Sequence, residues 1–133
     1  MSTPLHIVRG EAHTHRFEST IDDAPFAQLG RTLVFTLWRK WGRPGQAVVL
    51  TITTSDEDLD SRLVKLEDPE WEDEDPDPNT GKWELRLGSS DTLLDAPGMY
   101  KYTVWSTNDA DPEDSKPLVL LSNLYITESG RED

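Results

Sequence analysis

The stretch Lys82-Trp83-Glu84-Leu85-Arg86-Leu87 alternates apolar and charged side chains without interruption. Successive side chains of a β-strand point to opposite faces, so Trp83, Leu85 and Leu87 share one face and the three charged residues share the other. This alternation is typical of a strand with one face in a core and one in water. The rest of the chain is organised around this half-buried strand.

The chain turns after this strand and returns beside it. Gly88 ends the strand, and the serines and aspartate that follow can cap one helical turn before Pro97-Gly98 prevents its continuation. Residues 100–105 are then rich in aromatic and β-branched side chains, which favours a second strand. We therefore expect two neighbouring strands with a short helical turn near residues 89–94 between them.

Other segments show the same two-residue period and are separated by glycine, proline and acidic residues. Further strands are predicted at residues 5–8, 12–20, 31–38, 47–54, 63–66 and 117–127. The polar pair Ser122-Asn123 interrupts the last of these and indicates a bulge, while residues 108–115 are predicted to form an acidic turn. About six to eight short strands with no long helix predict an all-β, antiparallel β-sandwich.

Several of these segments together resemble a known family. Gly81 to Leu87, Ser90-Asp91-Thr92 and Pro97 to Tyr102 are similar to the second half of the small immunoglobulin-like domains of tailed-phage structural proteins. The nearest resemblance is to the N-terminal domain of the baseplate upper protein family. Residues 32–39 resemble the early strand of that family, and residues 118–127 resemble its closing strand. The resemblance implies an immunoglobulin-like sandwich.

The same resemblance implies a function. It predicts a non-enzymatic virion structural protein of a tailed phage, assembled in the host cytoplasm, which acts as a baseplate or tail-fibre adaptor through protein–protein contacts. The expected partners are other virion structural proteins, with several copies or a homo-oligomer in the particle. Two alternatives remain open, namely a capsid decoration protein of the same particle and a carbohydrate-binding β-sandwich module.

Length and composition limit the remaining possibilities. The 133 residues suit one domain over residues 1–128, with an acidic loop insertion at 67–80 and a flexible tail at 129–133. The absence of cysteine removes disulfides and thiolate chemistry, and the formal charge of −13 disfavours nucleic acid and anionic lipid as partners. No apolar run approaches the roughly 20 residues of a membrane span.

The acidic loop contains a weak calcium candidate. Asp73, Asp75 and Asp77, with Glu84 further along, imitate the ligand spacing of an EF-hand. Pro78 stands where that motif needs a glycine, and Glu84 belongs to a strand rather than to an exiting helix. A solvated loop is therefore favoured over a metal site, and no cofactor is expected.

The two histidines of residues 12–20 are the other candidate ligands. His13 and His15 are two apart and so share one face of a strand. Structural zinc normally has four ligands and catalytic zinc three, and the sequence suggests no third ligand here. A pair of surface or partly packed histidines is the favoured interpretation.

Catalytic patterns are missing from the sequence. Gly88-Ser89-Ser90 lacks the second glycine of a nucleophile elbow. The many acidic residues lie in polar surroundings that give no reason for a raised pKa. The chain is therefore predicted not to be an enzyme.

Aromatic and basic residues mark a candidate interface. The candidates are Trp38, Arg39, Lys40, Trp41 and Arg43 around a predicted hairpin tip, and Trp71 in the acidic loop. Aromatic residues are enriched at protein interfaces, and a basic tip on an acidic protein favours ordered association. The alternatives are that the tip is simply solvated and that the tryptophans fold back over the ends of the sandwich.

Overall fold

The structure is a computed structural model that describes residues 4–93 and 97–128. Within this part of the chain it is almost entirely β, as the sequence predicted. The strands are β1 (Leu5–Val8), β2 (His13–Glu18), β3 (Thr20–Ile21), β4 (Ala24–Pro25), β5 (Arg31–Arg39), β6 (Ala47–Thr54), β7 (Leu63–Lys65), β8 (Lys82–Leu87), β9 (Gly98–Asn108) and β10 (Asp111–Thr127). One short helix, α1 (Ser89–Thr92), follows β8.

Two sheets form the sandwich. The larger sheet has the order β1-β10-β9-β5-β6, the smaller has the order β2-β8-β7, and β3 pairs with β4 in a separate hairpin. Neighbouring strands are antiparallel except for β1, which runs parallel to β10. In a variable-type immunoglobulin domain one sheet contains strands C, F and G extended by C′, and the other contains B, E and D. The order found here matches that arrangement, so the fold is an immunoglobulin-like β-sandwich.

The core lies between the two sheets. Trp83, Leu85 and Leu87 all face inward from β8, which confirms that these three alternating residues share the core face of a strand. Antibody domains join their sheets with a disulfide whose second cysteine follows a conserved tyrosine by two residues. Here Tyr102 follows Tyr100 at that spacing, and its ring lies 5.7 Å from that of Phe35. Phe35 on β5 and Tyr102 on β9 belong to the same sheet, so this aromatic contact packs within the core and does not join the two sheets.

Some predicted boundaries were wrong. Residues 108–115 were expected to form a turn, but β9 extends to Asn108 and β10 begins at Asp111, because Ser115 and Lys116 pair with Thr107 and Ser106. The bulge predicted at residues 122–123 was misplaced: Ser122 and Asn123 pair regularly with Tyr102 and Lys101, and two register shifts lie earlier, between Pro117 and Ser122. Residues 66–81 contain neither helix nor strand. The predicted tail at 129–133 and the end of the predicted helical turn at residue 94 lie outside the described residues.

Candidate functional site

The face of the larger sheet that points away from the core is the candidate site. We define this outer face by the outward side chains of its four long strands: Val48, Thr51 and Thr53 on β6, Val34, Thr36 and Trp38 on β5, Lys101, Thr103 and Trp105 on β9, and Pro117, Leu120, Leu121 and Asn123 on β10. Lys101 is the one charged member of this set, and its amine donates a hydrogen bond to the Asn123 side chain. Charged residues make up 29% of the sequence, so a face with a single charge is unusual for this chain.

Apolar side chains are well exposed on the outer face. Leu120 is 60% exposed, Val48 47% and Trp105 39%. Threonines from β5, β6 and β9 occupy the middle of the face and pair across the strands. Contiguous apolar patches are uncommon on monomeric proteins and often mark contact surfaces. The outer face therefore has the composition of a protein-binding surface.

One border of this face is the unpaired edge of β6. The eight residues Ala47 to Thr54 contain no charge and no proline, and no described strand pairs with their far side. Natural proteins usually protect an exposed edge strand with lysine, proline or a bulge. The one register shift in β6 lies near its start, opposite Leu37 and Trp38. The rest of the edge is open to a partner.

The basic tip lies at one end of the outer face. Here the structure brings together five of the predicted interface residues: the rings of Trp38 and Trp41 meet edge to face, with centroids 4.9 Å apart, and Arg39, Lys40 and Arg43 are exposed around them. The buried indole N–H of Trp38 has no acceptor among the described residues. No acidic residue lies between residues 36 and 46. The tip is therefore a compact positive patch with an aromatic base.

The sixth predicted interface residue is not part of this patch. Trp71 lies in the loop of residues 66–81, and its indole N–H donates to the Asp75 carbonyl at 2.7 Å. That loop begins beside Gln28, near the Arg31 end of β5, whereas the basic tip follows Arg39. Trp71 is therefore at the opposite end of the sandwich.

Many of the acidic residues lie at this opposite end. Asp56, Glu57 and Asp58 follow β6, Asp109 lies in the β9–β10 turn with Asp111 at the start of β10, and further acidic side chains occupy the loop of residues 66–81. The β9–β10 turn is placed there because Asn108 pairs with Arg31 at the start of β5. The predicted charge asymmetry is thus arranged along the strand direction, from a basic tip to an acidic end.

The calcium candidates are not assembled into a site. The two carboxylate oxygens of Asp77 accept the backbone N–H groups of Asp68 and Asn79, each at 2.8 Å. Asp73 and Asp75 are exposed, and the described residues contain no group of three or more carboxylates or histidines that could hold a metal. Asp77 therefore holds the loop backbone in place.

Glu67 corrects the expectation of a uniformly solvated acidic loop. Its side chain is buried and accepts the backbone N–H of Gln28 at 2.6 Å. Burial raises the pKa of the Glu67 carboxyl, against the opposing effect of hydrogen bonds from the backbone of Gln28 and Gly81. The burial of Glu67 could not be predicted from the sequence, because a glutamate in an acidic run is normally exposed.

The two histidines form a packed pair. Their rings stack with centroids 6.0 Å apart, and the Nε2 atom of His13 accepts the Val8 N–H at 3.0 Å. His15 faces the core opposite Leu85, and its buried Nε2 has no partner among the described residues. Burial, with a smaller contribution from His13, lowers the pKa of His15. The pair belongs to the packing of β2.

Two polar groups with structural roles were missed by the sequence analysis. Glu84 was assigned to the solvent face, but it is buried between Arg16 and Arg86, which both donate to its carboxylate. At the acidic end, Arg31 donates from Nε to the Ser106 hydroxyl at 2.7 Å, and that hydroxyl donates to the Gln28 side chain. Both depend in part on contacts between residues distant in sequence, such as Arg16 with Glu84 and Arg31 with Ser106, which a local pattern does not reveal.

No protein-family model matches the sequence, and comparison with curated proteins finds no relative. Among solved structures, the chain is similar to a β subunit of a voltage-gated sodium channel, from a photo-crosslinking study of multimeric cell-adhesive interactions. The identity is 11% and the TM-score 0.41, over 97% of this chain and 93% of that chain. It is also similar to the extracellular domain of the sodium channel β4 subunit, described as a parallel homodimer in cell–cell adhesion. There the identity is 8% and the TM-score 0.35, over 95% of this chain and 89% of that chain.

These comparisons correct the functional prediction. The chain was expected to be a tailed-phage virion protein, either a baseplate or fibre adaptor or a capsid decoration protein, but both similar structures are sodium channel subunits. Neither description concerns carbohydrate binding, and that alternative gains no support from them. The strand order itself defines the class of protein, an immunoglobulin-like β-sandwich with a variable-type larger sheet. The described residues include no helix with the length and apolarity needed to cross a membrane.

Proposed function

We propose that this chain is a non-enzymatic protein-interaction module that pairs face to face with a second copy of itself through the outer face. The observation that carries the proposal is the near absence of charge on that face in a chain with a formal charge of −13. Two highly acidic molecules repel each other, and the repulsion is smallest where the surfaces that meet carry no charge. The outer face is such a surface, and it is self-complementary in composition, as a two-fold interface requires.

The charges at its two ends select the orientation of the pair. A two-fold axis along the strands would place the basic tip of one copy, with Lys40 and Arg43, against the same tip of the other. An axis across the strands instead places each basic tip over the acidic end of the partner, near Glu57 and Asp58. Opposite charges at the rim favour the second arrangement and fix its register. We therefore propose an antiparallel pair.

The size of the outer face indicates a weak complex. Four strands about 4.8 Å apart and five residues rising about 3.4 Å each define roughly 330 Å² per copy. Stable complexes bury about 800 Å² per partner, so the expected pair belongs to the transient class, with a Kd of about 10 μM or weaker. Contacts between the basic tip and the acidic end add area at the rim. Weak pairing suits a module of which several copies bind at the same time, because the individual weak contacts then add up.

Sedimentation analysis of the whole chain over a concentration range tests this function. The weight-average mass of the native chain should rise towards that of a dimer near the millimolar range. Val48→Lys places a charge among the exposed apolar side chains of the outer face and should keep the chain monomeric. Ile21→Lys is the matched control, because Ile21 is similarly exposed at 40% but lies on β3, away from the outer face. A native chain that stays monomeric at these concentrations, or equal effects of the two substitutions, would contradict the proposal.

A further inference from the structure

A second surface of the sandwich, distinct from the outer face, lies along the unpaired edge of β2. This strand pairs with β8 in unbroken register from His13 opposite Leu87 to Glu18 opposite Lys82. No described strand pairs with its other side. β2 contains neither proline nor bulge, so its free edge lacks two of the features that normally prevent a further strand from adding.

The neighbouring edge, on the other sheet, is protected. β1 covers only Leu124 to Thr127 of β10, which leaves the earlier part of that strand without a described neighbour on this side. Pro117 has no N–H to donate, and two register shifts follow it before Ser122. Of the two edges that border the gap between the sheets, β2 is therefore the one that can accept a strand.

A cavity of about 300 Å³ lies in the gap between these two edges. Phe17, which faces inward from β2, forms part of its lining and stacks on Trp83 with ring centroids 4.3 Å apart. Ile21, Phe26 and Val119 add apolar surface to the cavity. A strand added to the free edge of β2 would place alternate side chains on the same side as Phe17, which is the side of the cavity.

The charges around the cavity favour a basic partner. Glu18 is part of the lining, and the exposed Asp22 and Asp23 directly follow Ile21, another lining residue. Lys116 is the basic residue of the lining, and its amine lies 3.8 Å from an Asp114 carboxylate oxygen. Basic residues that flank an apolar segment would therefore be attracted both by the acidic residues near the cavity and by the net negative charge of the protein.

We infer that the free edge of β2 binds an extended segment of a partner protein, apolar at alternate positions and flanked by lysine or arginine. The segment adds as a fourth strand to the smaller sheet and inserts an apolar side chain into the cavity beside Phe17. Backbone hydrogen bonds along β2 provide affinity, while the cavity and its acidic border provide sequence preference, as in other cases of β-strand addition.

Selection from a surface-displayed library of random dodecapeptides tests this inference on the whole chain. Enriched peptides should alternate apolar residues, carry basic ends and lack proline in the middle. Ile21→Lys should weaken their binding by at least about tenfold, because it replaces apolar lining of the cavity with a positive charge that repels the basic ends. Val48→Lys, on the outer face, should bind them like the native chain. Asp22→Asn with Asp23→Asn should weaken binding by a few fold, since asparagine tolerates the positive φ of 52° and 63° at these positions.

Hydrogen exchange with the most enriched peptide locates the contact. The β2 amides that do not bond to β8 should exchange more slowly when the peptide is bound, and the amides of β6 should be unchanged. No enrichment, enrichment of peptides without the alternating basic-ended pattern, equal binding by the Ile21→Lys variant, or slower exchange on β6 instead of β2 would each overturn the inference.

Discussion

Arg31 on β5 forms an ion pair with Asp114 on β10, with Nη1 3.0 Å from Oδ2. The same guanidinium donates to the hydroxyl and the carbonyl of Ser106 on β9, so one buried side chain joins three strands of the larger sheet. We expect Arg31→Met to lower the free energy of unfolding by about 3 kcal/mol, because it removes the buried donor to the Ser106 hydroxyl and carbonyl and the charge partner of Asp114. Asp114→Asn should have a much smaller effect, since the partly exposed Asp114 shares the guanidinium with Ser106. Urea unfolding measures the loss of unfolding free energy in each variant, and equal losses would contradict the central role of Arg31 in these hydrogen bonds.

Gly81 approaches the backbone of a neighbouring segment closely. It has a φ of +80°, and a Cβ there would lie 2.6 Å from the Ser19 carbonyl oxygen and 3.1 Å from the Phe26 nitrogen. Gly81→Ala should therefore lower the unfolding free energy by about 3 kcal/mol or more, combining left-handed backbone strain with overpacking.

Gly42 provides the matched control for this substitution. Its φ is +73°, but an added Cβ would meet nothing within 4 Å. Gly42→Ala should thus show the backbone strain alone, about 1–2 kcal/mol. Thermal unfolding of the two variants separates strain from steric overlap, and similar losses would show that the close approach at Gly81 is unimportant.

Glu84 should contribute to stability in a pH-dependent way. Hydrogen bonds from Arg16 and Arg86 hold the pKa of its carboxyl below the ordinary value of 4.5. A lowered carboxyl pKa contributes stability that is fully present above about pH 4.5 and lost as the pH falls through the folded-state pKa. Glu84→Gln should lower the unfolding free energy by about 1.5–3 kcal/mol near neutral pH, and this difference should shrink on acidification. Urea unfolding at a series of pH values measures it, and a difference that is independent of pH would contradict the assignment.

His15 should make the fold sensitive to mildly acidic conditions. Its pKa lies below the ordinary 6.5, mainly because of burial, so the neutral form is favoured in the folded state. The unfolded chain then binds the proton more readily, and stability is fully present above about pH 6.5 and lost as the pH falls below it. His15→Leu should remove this part of the dependence and leave the chain as stable or more stable. His6→Gln, at an exposed position, serves as the control and should keep the dependence seen in melting temperatures.

Charge exchange tests the orientation of the proposed pair. Lys40→Glu with Arg43→Glu should weaken self-association, and so should Glu57→Lys with Asp58→Lys, because each double change places like charges together in an antiparallel pair. Combining all four changes restores opposite charges at both contacts and returns the formal charge to the native −13. Sedimentation should then show association restored towards the native level. If the combined variant is weaker than both doubles, the pair is not antiparallel.

Local patterns predicted much of the fold. The alternation in β8 and in the longer strands β5 and β6 was sufficient to place those strands, because period-two burial is a property of consecutive residues. The same reasoning wrongly assigned residues 108–115 to a turn, because acidic residues and proline are typical of loops. The pairing of this segment with β9 cannot be read from the sequence. It also placed Glu84 in solvent, because Arg16, one of the two arginines that cover it, comes from the distant strand β2.

The candidate surface was predicted only in part. The basic tip could be recognised from four consecutive charged and aromatic residues, Trp38 to Trp41, with Arg43 beside them. The outer face could not, because its members come from four strands and are brought together only by sheet order and register. The edge of β2 was equally hidden, since whether a strand is unpaired depends on where every other strand lies.

The amino-acid sequence alone determined that this protein is a β-sandwich without a cross-link, acidic overall and positive at one hairpin. These properties follow from composition and from the two-residue period of side-chain burial. The tertiary structure decided which faces and edges remain uncovered, which acidic groups are buried, and that one sheet presents a nearly uncharged surface. Such properties arise from the pairing of distant segments, and no run of neighbouring residues contains that information.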